Sequence, residues 1–318
     1  MLSRLADALY WMARYLERVD GIARLLEANL LHATGEGEPA ERRWRPLLGI
    51  GRNASAYAAL HPDGLVTEAR VVRFVTVEHT NPSAVRACLR LARDNARVVR
   101  DVVTPEMWEI LHELSQRAGA ELERAEGADA LVRFCRLARS EVARLHGVAD
   151  ATMMRGEGFA FWQLGTFVER ADMTARLLDV EHRLLAPPGT LLGPAAEHHR
   201  WGALLKALSG FEAYQRRHRA GLRAAAVVEL LVRDPDFPRS LRFALDRMCD
   251  ALRVVDDAAA VRLPLAALNA RLREPPVGGI LQYGLAALLA HVVSGIAELD
   301  AALRGAFFHT VTELPCAS

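Results

Sequence analysis

Glu17-Arg18-Val19-Asp20-Gly21-Ile22-Ala23-Arg24-Leu25-Leu26 returns later in the chain as Glu169-Arg170-Ala171-Asp172-Met173-Thr174-Ala175-Arg176-Leu177-Leu178. Seven of the ten positions are identical, and they include every charged one. On an α-helix, residues i, i+3 and i+7 share a face. Each copy therefore lays a stripe of Glu, Asp and Arg along one face: Glu17, Asp20 and Arg24, then Glu169, Asp172 and Arg176. The flanks read as buried helix. Tyr10, Trp11 and Tyr15 precede the first stripe, Phe159, Phe161, Trp162 and Phe167 precede the second, and a leucine pair follows each. The expected fold is all-α: a tandem-duplicated helical bundle whose halves are related by a pseudo-twofold axis.

The repeat extends outward from this stretch. At constant offset, Trp44, Leu47-Leu48, Ala56-Tyr57 and Gly64 match Trp201, Leu204-Leu205, Ala213-Tyr214 and Gly221. After a one-residue slip, Pro82 matches Pro238, Leu89 lies near Leu245, and Arg97-Val98-Val99 matches Arg253-Val254-Val255. The correspondence fades between Thr104 and Asp150. This organisation predicts an N-terminal helical half over 1–150, a C-terminal half over 151–309 able to share its core, and a frayed tail over 310–318. Apolar residues recur at helical spacing nearly throughout, which predicts helices near 3–32, 41–60, 64–79, 82–102, 105–125 and 128–150. Further helices are predicted to about 185, then near 195–219, 221–233, 238–258, 262–273 and 277–305. Val71 to Val77 is the nearest approach to a strand and fits a helical stripe as well. Thr104-Pro105-Glu106 reads as a helix start, with Thr104 as N-cap.

Composition narrows the class. The chain has 318 residues, 51% of them apolar and only 6% aromatic, with a formal net charge of +1. Length permits a large core, and near-neutrality advertises neither nucleic acid nor an anionic membrane as a partner. Lys206 is the only lysine, so a Schiff-base or phosphate-loop lysine would have to be that residue, in an ordinary amphipathic stretch. Cys88, Cys135, Cys249 and Cys316 are scattered without zinc-like spacing, as reduced cysteines in a cytosolic protein would be. Arg4, Asp7, Arg14 and Glu17 interrupt the opening residues, which argues against a signal peptide. No stretch is expected to span a membrane, and the expected location is cytoplasmic.

Within each stripe, Asp20 and Arg24, like Asp172 and Arg176, are four apart with the acid first, the favourable order for an intrahelical pair. Glu17 and Arg24 are about 10 Å apart along the axis, too far for a relaxed bond. Glu17 thus needs a partner from elsewhere, and symmetry suggests Arg176, with Glu169 facing Arg24 in return. Arg18 and Arg170 project about a quarter-turn away, free to reach a ligand or another helix. Two readings stand side by side. The stripes form a buried ion-pair network docking the halves, or arginines hold a carboxylate or phosphate in a pocket with the acids orienting them. Tyr10, Trp11, Arg14, Tyr15, Trp108, Glu109, Arg155 and Trp162 are candidates to line such a pocket.

Met1-Leu2-Ser3-Arg4, Leu9-Tyr10-Trp11-Met12, Arg14-Tyr15 and Glu17-Arg18 resemble the opening of the bacterial alpha-E proteins, an all-helical family named for a Glu-Arg motif. Glu106-Met107-Trp108-Glu109, and the run from Met154-Arg155 through Glu169-Arg170-Ala171-Asp172 to Leu178-Asp179, extend the resemblance along the whole chain. Phe159, where the family usually has Trp, and His112, near an Asn-like position, depart from its pattern. The resemblance implies a setting: such proteins are typically encoded beside, or fused to, a circularly permuted ATP-grasp protein and a transglutaminase-like cysteine peptidase. It points to ATP-dependent amide-bond formation on a small peptide or amino-acid substrate, with the alpha-E component's own role unassigned.

Other motifs carry little. His112-Glu113 lacks a second histidine, His198-His199 stands alone, and Gly156-Glu157-Gly158 has no strand before it. No metal set, cofactor loop or activated nucleophile is visible. The sequence therefore favours a non-catalytic helical partner of the ATP-grasp protein. The competing readings are an acyl or aminoacyl transferase using Glu17 or Glu169 as general base, and a scaffold whose stripes are wholly internal.

Overall fold

The computed structural model describes residues 1–31, 40–50, 54–125, 127–185, 194–219, 221–273 and 284–308. The expected tail over 310–318, and the breakers Gly35, Gly37, Pro39, Pro187, Pro188, Gly189, Gly193, Pro275 and Pro276, lie outside the described residues. The chain is all-helical, with no strand among the described residues. Among the described residues, seven helices lie in the first half of the chain: α1 (Ser3–Leu31), α2 (Ala40–Ile50), α3 (Ala54–Leu60), α4 (Glu68–Thr76), α5 (Val85–Val98), α6 (Pro105–Arg124) and α7 (Gly127–Thr152). The second half of the chain supplies α8 (Glu157–Leu185), α9 (Pro194–Ala207), α10 (Phe211–Arg217), α11 (Ala224–Arg233), α12 (Leu241–Ala251), α13 (Ala259–Arg273) and α14 (Leu285–Phe307), with a 3-10 turn at Leu252–Val254.

Helices α1 and α8 are the centre of the molecule and touch each other along their length. They run parallel, with residue i of α1 level with residue i+152 of α8. Gly158 lies beside Leu9, Gly165 abuts the Tyr10 carbonyl and Ala13, and Gly21 receives the Met173 side chain. A methyl on Gly165 would overlap the Tyr10 carbonyl oxygen, so only glycine lets the two backbones meet there. Around this pair the same neighbour pattern occurs twice. Helices α5 and α7 pack on α1 with α6 against both, and α12 and α14 pack on α8 with α13 against both. Helices α2 and α9 cross over, α2 onto α8 and α9 onto α1. One continuous apolar core runs through both sets.

Repeated residues repeat their local roles. Trp44 and Trp201 are buried, and the Tyr57 and Tyr214 hydroxyls donate to the Leu65 and Gly221 carbonyls at 2.8 and 2.9 Å. Gly64 and Gly221 both take positive φ, 70° and 85°, in the turn that follows.

Several expectations need correction. The helix read over 41–60 is two, α2 and α3, and that over 195–219 is two, α9 and α10, parted where Ser209 adopts a φ of 52°. Thr104 has the extended backbone of an N-cap, but its hydroxyl makes no cap hydrogen bond and lies 3.3 Å from that of Thr152. The stretch from Val71 lies in α4, whose N-cap Thr67 accepts from the Arg70 backbone N–H at 3.4 Å. The expectation that no stretch is long and apolar enough to cross a membrane fails for Leu285–Phe307, with a mean hydropathy of 1.5 over its best window. In the fold this helix packs one apolar stripe, Leu285, Leu289, Val292, Ile296, Leu299 and Leu303, into the core and buries Asp300 beside it.

Candidate functional site

The charged stripes meet at the α1–α8 seam. Glu17 is 1% exposed and Glu169 is 2% exposed. Each is clasped side-on by the arginine that follows its counterpart in sequence. Arg170 donates to Glu17 through Nε at 2.8 Å and Nη2 at 2.9 Å, and Arg18 donates to Glu169 through Nε at 2.5 Å and Nη2 at 2.9 Å. The Glu-Arg dipeptides thus exchange partners reciprocally across the seam. Adjacency in sequence follows from the parallel packing. The glutamate faces the seam, and the next residue, about 100° further round the helix, flanks it within reach of the opposite glutamate one level away.

This overturns the expected pairing of Glu17 with Arg176 and Glu169 with Arg24. With parallel helices in register, Arg176 stands level with Arg24, about 10 Å along the axis from Glu17. Those two arginines instead close the intrahelical pairs read from the sequence, Arg24 Nε to Asp20 at 2.6 Å and Arg176 Nε to Asp172 at 2.8 Å. Arg24 also bonds Ser209.

Further groups complete the network. Arg14, 2% exposed, donates Nε to Glu169 at 2.9 Å and Nη1 to Asp300 at 2.6 Å. Tyr10 donates its hydroxyl to the same Asp300 oxygen at 2.6 Å. On the Glu17 side, Arg239 spans Glu17 at 3.2 Å and Asp20 at 2.6 Å. His146 Nε2 stands 3.5 Å from Glu17, outside hydrogen-bond geometry. Arg18 also donates to Ser83 at 3.2 Å. Arg239, His146, Asp300 and Ser83 were not read from the sequence. The match of Pro82 to Pro238 marks the loops that carry Ser83 and Arg239, but nothing local marks His146 or Asp300.

Burial pushes both carboxyls toward neutrality, and the guanidiniums override it. Arg170 and Arg239 hold Glu17 well below the usual carboxylate range, and Arg18 and Arg14 bring Glu169 down to about 2. Burial likewise raises the Tyr10 hydroxyl, beyond what Arg14 lowers. Burial lowers the Arg239 guanidinium more than its acids restore it, with Arg170 and Arg24 adding to the fall. A carboxylate fixed in its charged form, both oxygens occupied, is poorly suited to accept a proton at neutral pH.

The other candidates lie around the network or away from it. Trp11 stacks on Tyr15 at 5.5 Å with the Arg14 guanidinium 4.7 Å from its ring, so these three form one wall. Trp162 is buried, its ring 5.2 Å from that of His146. Trp108 stacks on His112 with Arg100 over its face, and Glu109 is exposed on the same helix. Arg155 pairs with Asp150 at 2.9 Å and covers Phe159, at the edge of a 310 Å³ cavity shared with Arg247 and Asp250. Neither Glu17 nor Glu169 lines the cavities beside Leu25, Arg217, Leu30 or Phe159. The cavity between α1 and α8 sits further along, beside Leu25, Asn29, Leu177 and Glu181. No group of three potential metal ligands occurs among the described residues.

The model of a family described as Alpha-E, a predicted alpha-helical domain with a conserved ER motif, matches residues 1–308. An uncharacterized protein of Mycobacterium bovis is 25% identical over 320 residues, covering 95% of this chain and 36% of the relative. An uncharacterized protein of Mycobacterium tuberculosis is 24% identical with the same coverage. The chain thus spans about a third of the length of the curated relatives it matches. No solved structure matches.

Proposed function

This chain belongs to the Alpha-E family, and on that premise we propose that it is a non-catalytic helical module of an ATP-grasp-linked system forming amide bonds in the cytoplasm. In this reading its Glu-Arg helices lock two duplicated halves into one rigid body, and its outer surface docks onto the circularly permuted ATP-grasp protein. A transglutaminase-like peptidase acts as neighbour in the same pathway. One observation carries the reading: both motif glutamates are sealed at the seam with every oxygen held by arginine, which suits a lock and not a general base. The length of the relatives supports it too, because a segment matching about a third of a longer chain fits a module that works beside other domains.

The test is co-expression of the tagged chain with the ATP-grasp protein of its own genome, followed by co-purification and amide-bond assays with and without the chain. A stable complex that persists in a Glu17→Gln/Glu169→Gln variant still folded by circular dichroism is expected. Absence of any complex, or amide-bond formation by the chain alone that the double variant abolishes, overturns the proposal.

A further inference from the structure

The cavity between the C-terminal portions of α1 and α8 has a volume of 80 Å³, room for several waters or a molecule of a few heavy atoms. Its walls are part apolar, built by Leu25, Leu47, Leu177 and Leu204, and part polar, with Asn29 and Glu181 on the central helices and Arg43, His199 and Arg200 entering from α2 and α9. Arg43 and Arg200 occupy matched positions of the repeat, as do Asn29 and Glu181. The matched positions differ in one decisive respect. Arg200 donates to Glu181 at 3.0 Å. Asn29, in the place of that acid, donates its amide to the Leu25 carbonyl at 2.9 Å. Arg43 reaches outward instead, Nη2 to Glu68 at 2.6 Å, while its Nε is buried with no acceptor among the described residues.

The adjacent residue tells the same story. Trp201 Nε1 donates to Glu197 at 3.3 Å. The matched position in the first half is Ala40, and Trp44 Nε1 is buried with no acceptor among the described residues. The first half thus lacks both acids that satisfy the matched donors in the second. A buried donor edge of a cation without an acceptor is costly, and a charge-assisted bond to an anion relieves it.

We propose that this cavity binds a short aliphatic carboxylate, with the carboxylate on the Arg43 Nε edge and the tail against Leu25, Leu47, Leu177 and Leu204. The four leucines form one apolar side of the cavity, which suits an aliphatic tail and would leave the oxygens of inorganic phosphate facing hydrocarbon there. His199 and the Arg200–Glu181 pair form the remaining polar rim. The site is independent of any ATP-grasp partnership.

The experiment uses the full chain with sodium isobutyrate as probe, and with sodium chloride and sodium phosphate at matched ionic strength. Isobutyrate well above its dissociation constant is expected to raise the melting midpoint by about 2–4 °C, with neither control doing so. Arg43→Gln is expected to weaken isobutyrate binding about tenfold or more by calorimetric titration. Asn29→Glu, which restores the acid present in the other half, is expected to raise the basal midpoint and abolish the isobutyrate shift. No shift beyond chloride, a shift with phosphate alone, or an undiminished shift in folded Asn29→Glu or Arg43→Gln protein would each overturn the proposal.

Discussion

Glu169 takes two guanidiniums from one helix, Arg14 and Arg18 of α1, whereas Glu17 takes one from α8, Arg170, and one from the loop entering α12, Arg239. The positions matching Arg14 and Arg239 are Thr166, whose hydroxyl donates back to the Trp162 carbonyl, and Ser83, which accepts from Arg18. The second cation differs in origin between the two sides of the seam, and the reciprocal Glu-Arg exchange does not. The core of the network is therefore the dipeptide pair, and each side has its own further source of positive charge. The two sides also differ in depth. Arg14, bridging Glu169 and Asp300, is almost fully enclosed, while Arg239, bridging Glu17 and Asp20, has a side chain 14% exposed.

That difference predicts unequal costs. Arg14→Ala leaves Glu169 and Asp300 short of a buried partner and should destabilise by about 3–5 kcal/mol in urea unfolding. Arg239→Ala leaves Glu17 its two bonds from Arg170 and should cost about 1.5–3 kcal/mol. Equal losses would show that depth is not what distinguishes the two sides.

Acid sharpens the comparison. The Glu169 carboxyl falls from its ordinary 4.5 to about 2 in the fold. Its contribution of about 3 kcal/mol is fully present above about pH 4.5 and is lost as pH falls toward 2. Denaturant midpoints measured across that window should drop steeply in the parent chain and less so in Glu169→Gln.

The helix contacts give a third test. Gly165→Ala drives a methyl into the Tyr10 carbonyl and should cost about 1–3 kcal/mol. Gly21→Ala meets only the flexible end of Met173 and should cost less. Comparable melts for the two would mean the backbones are not closest at Gly165. Smallest is Tyr10→Phe, which removes one of the donors to Asp300 and should cost about 1 kcal/mol in the same unfolding measurement.

Much of this was legible beforehand. Helical periodicity exposed the all-α fold, and the duplicated stripe pointed to α1 and α8 as the central pair and to their charged faces as the meeting point. The i,i+4 pairs of Asp20 with Arg24 and Asp172 with Arg176 could be read directly, since helix geometry alone dictates them. The partner of Glu17 could not. Spacing places side chains on a face but does not say whether two helices run parallel or antiparallel, nor at what register. Once Gly165 and Ala13 bring the helices together in parallel, Arg170 is one level from Glu17 and Arg176 is seven. Arg239, His146 and Asp300 arrive from distant segments through packing of α12, α7 and α14, which no local pattern records.

The amino-acid sequence by itself determined the helices, the charged stripes and the repetition, because these depend on residue spacing within single elements. Tertiary structure decided which glutamate meets which arginine, that both acids are closed to solvent, and that a cavity opens beside Arg43 and Asn29. Those outcomes depend on the register and depth of helix against helix, set by where small residues allow backbones to approach.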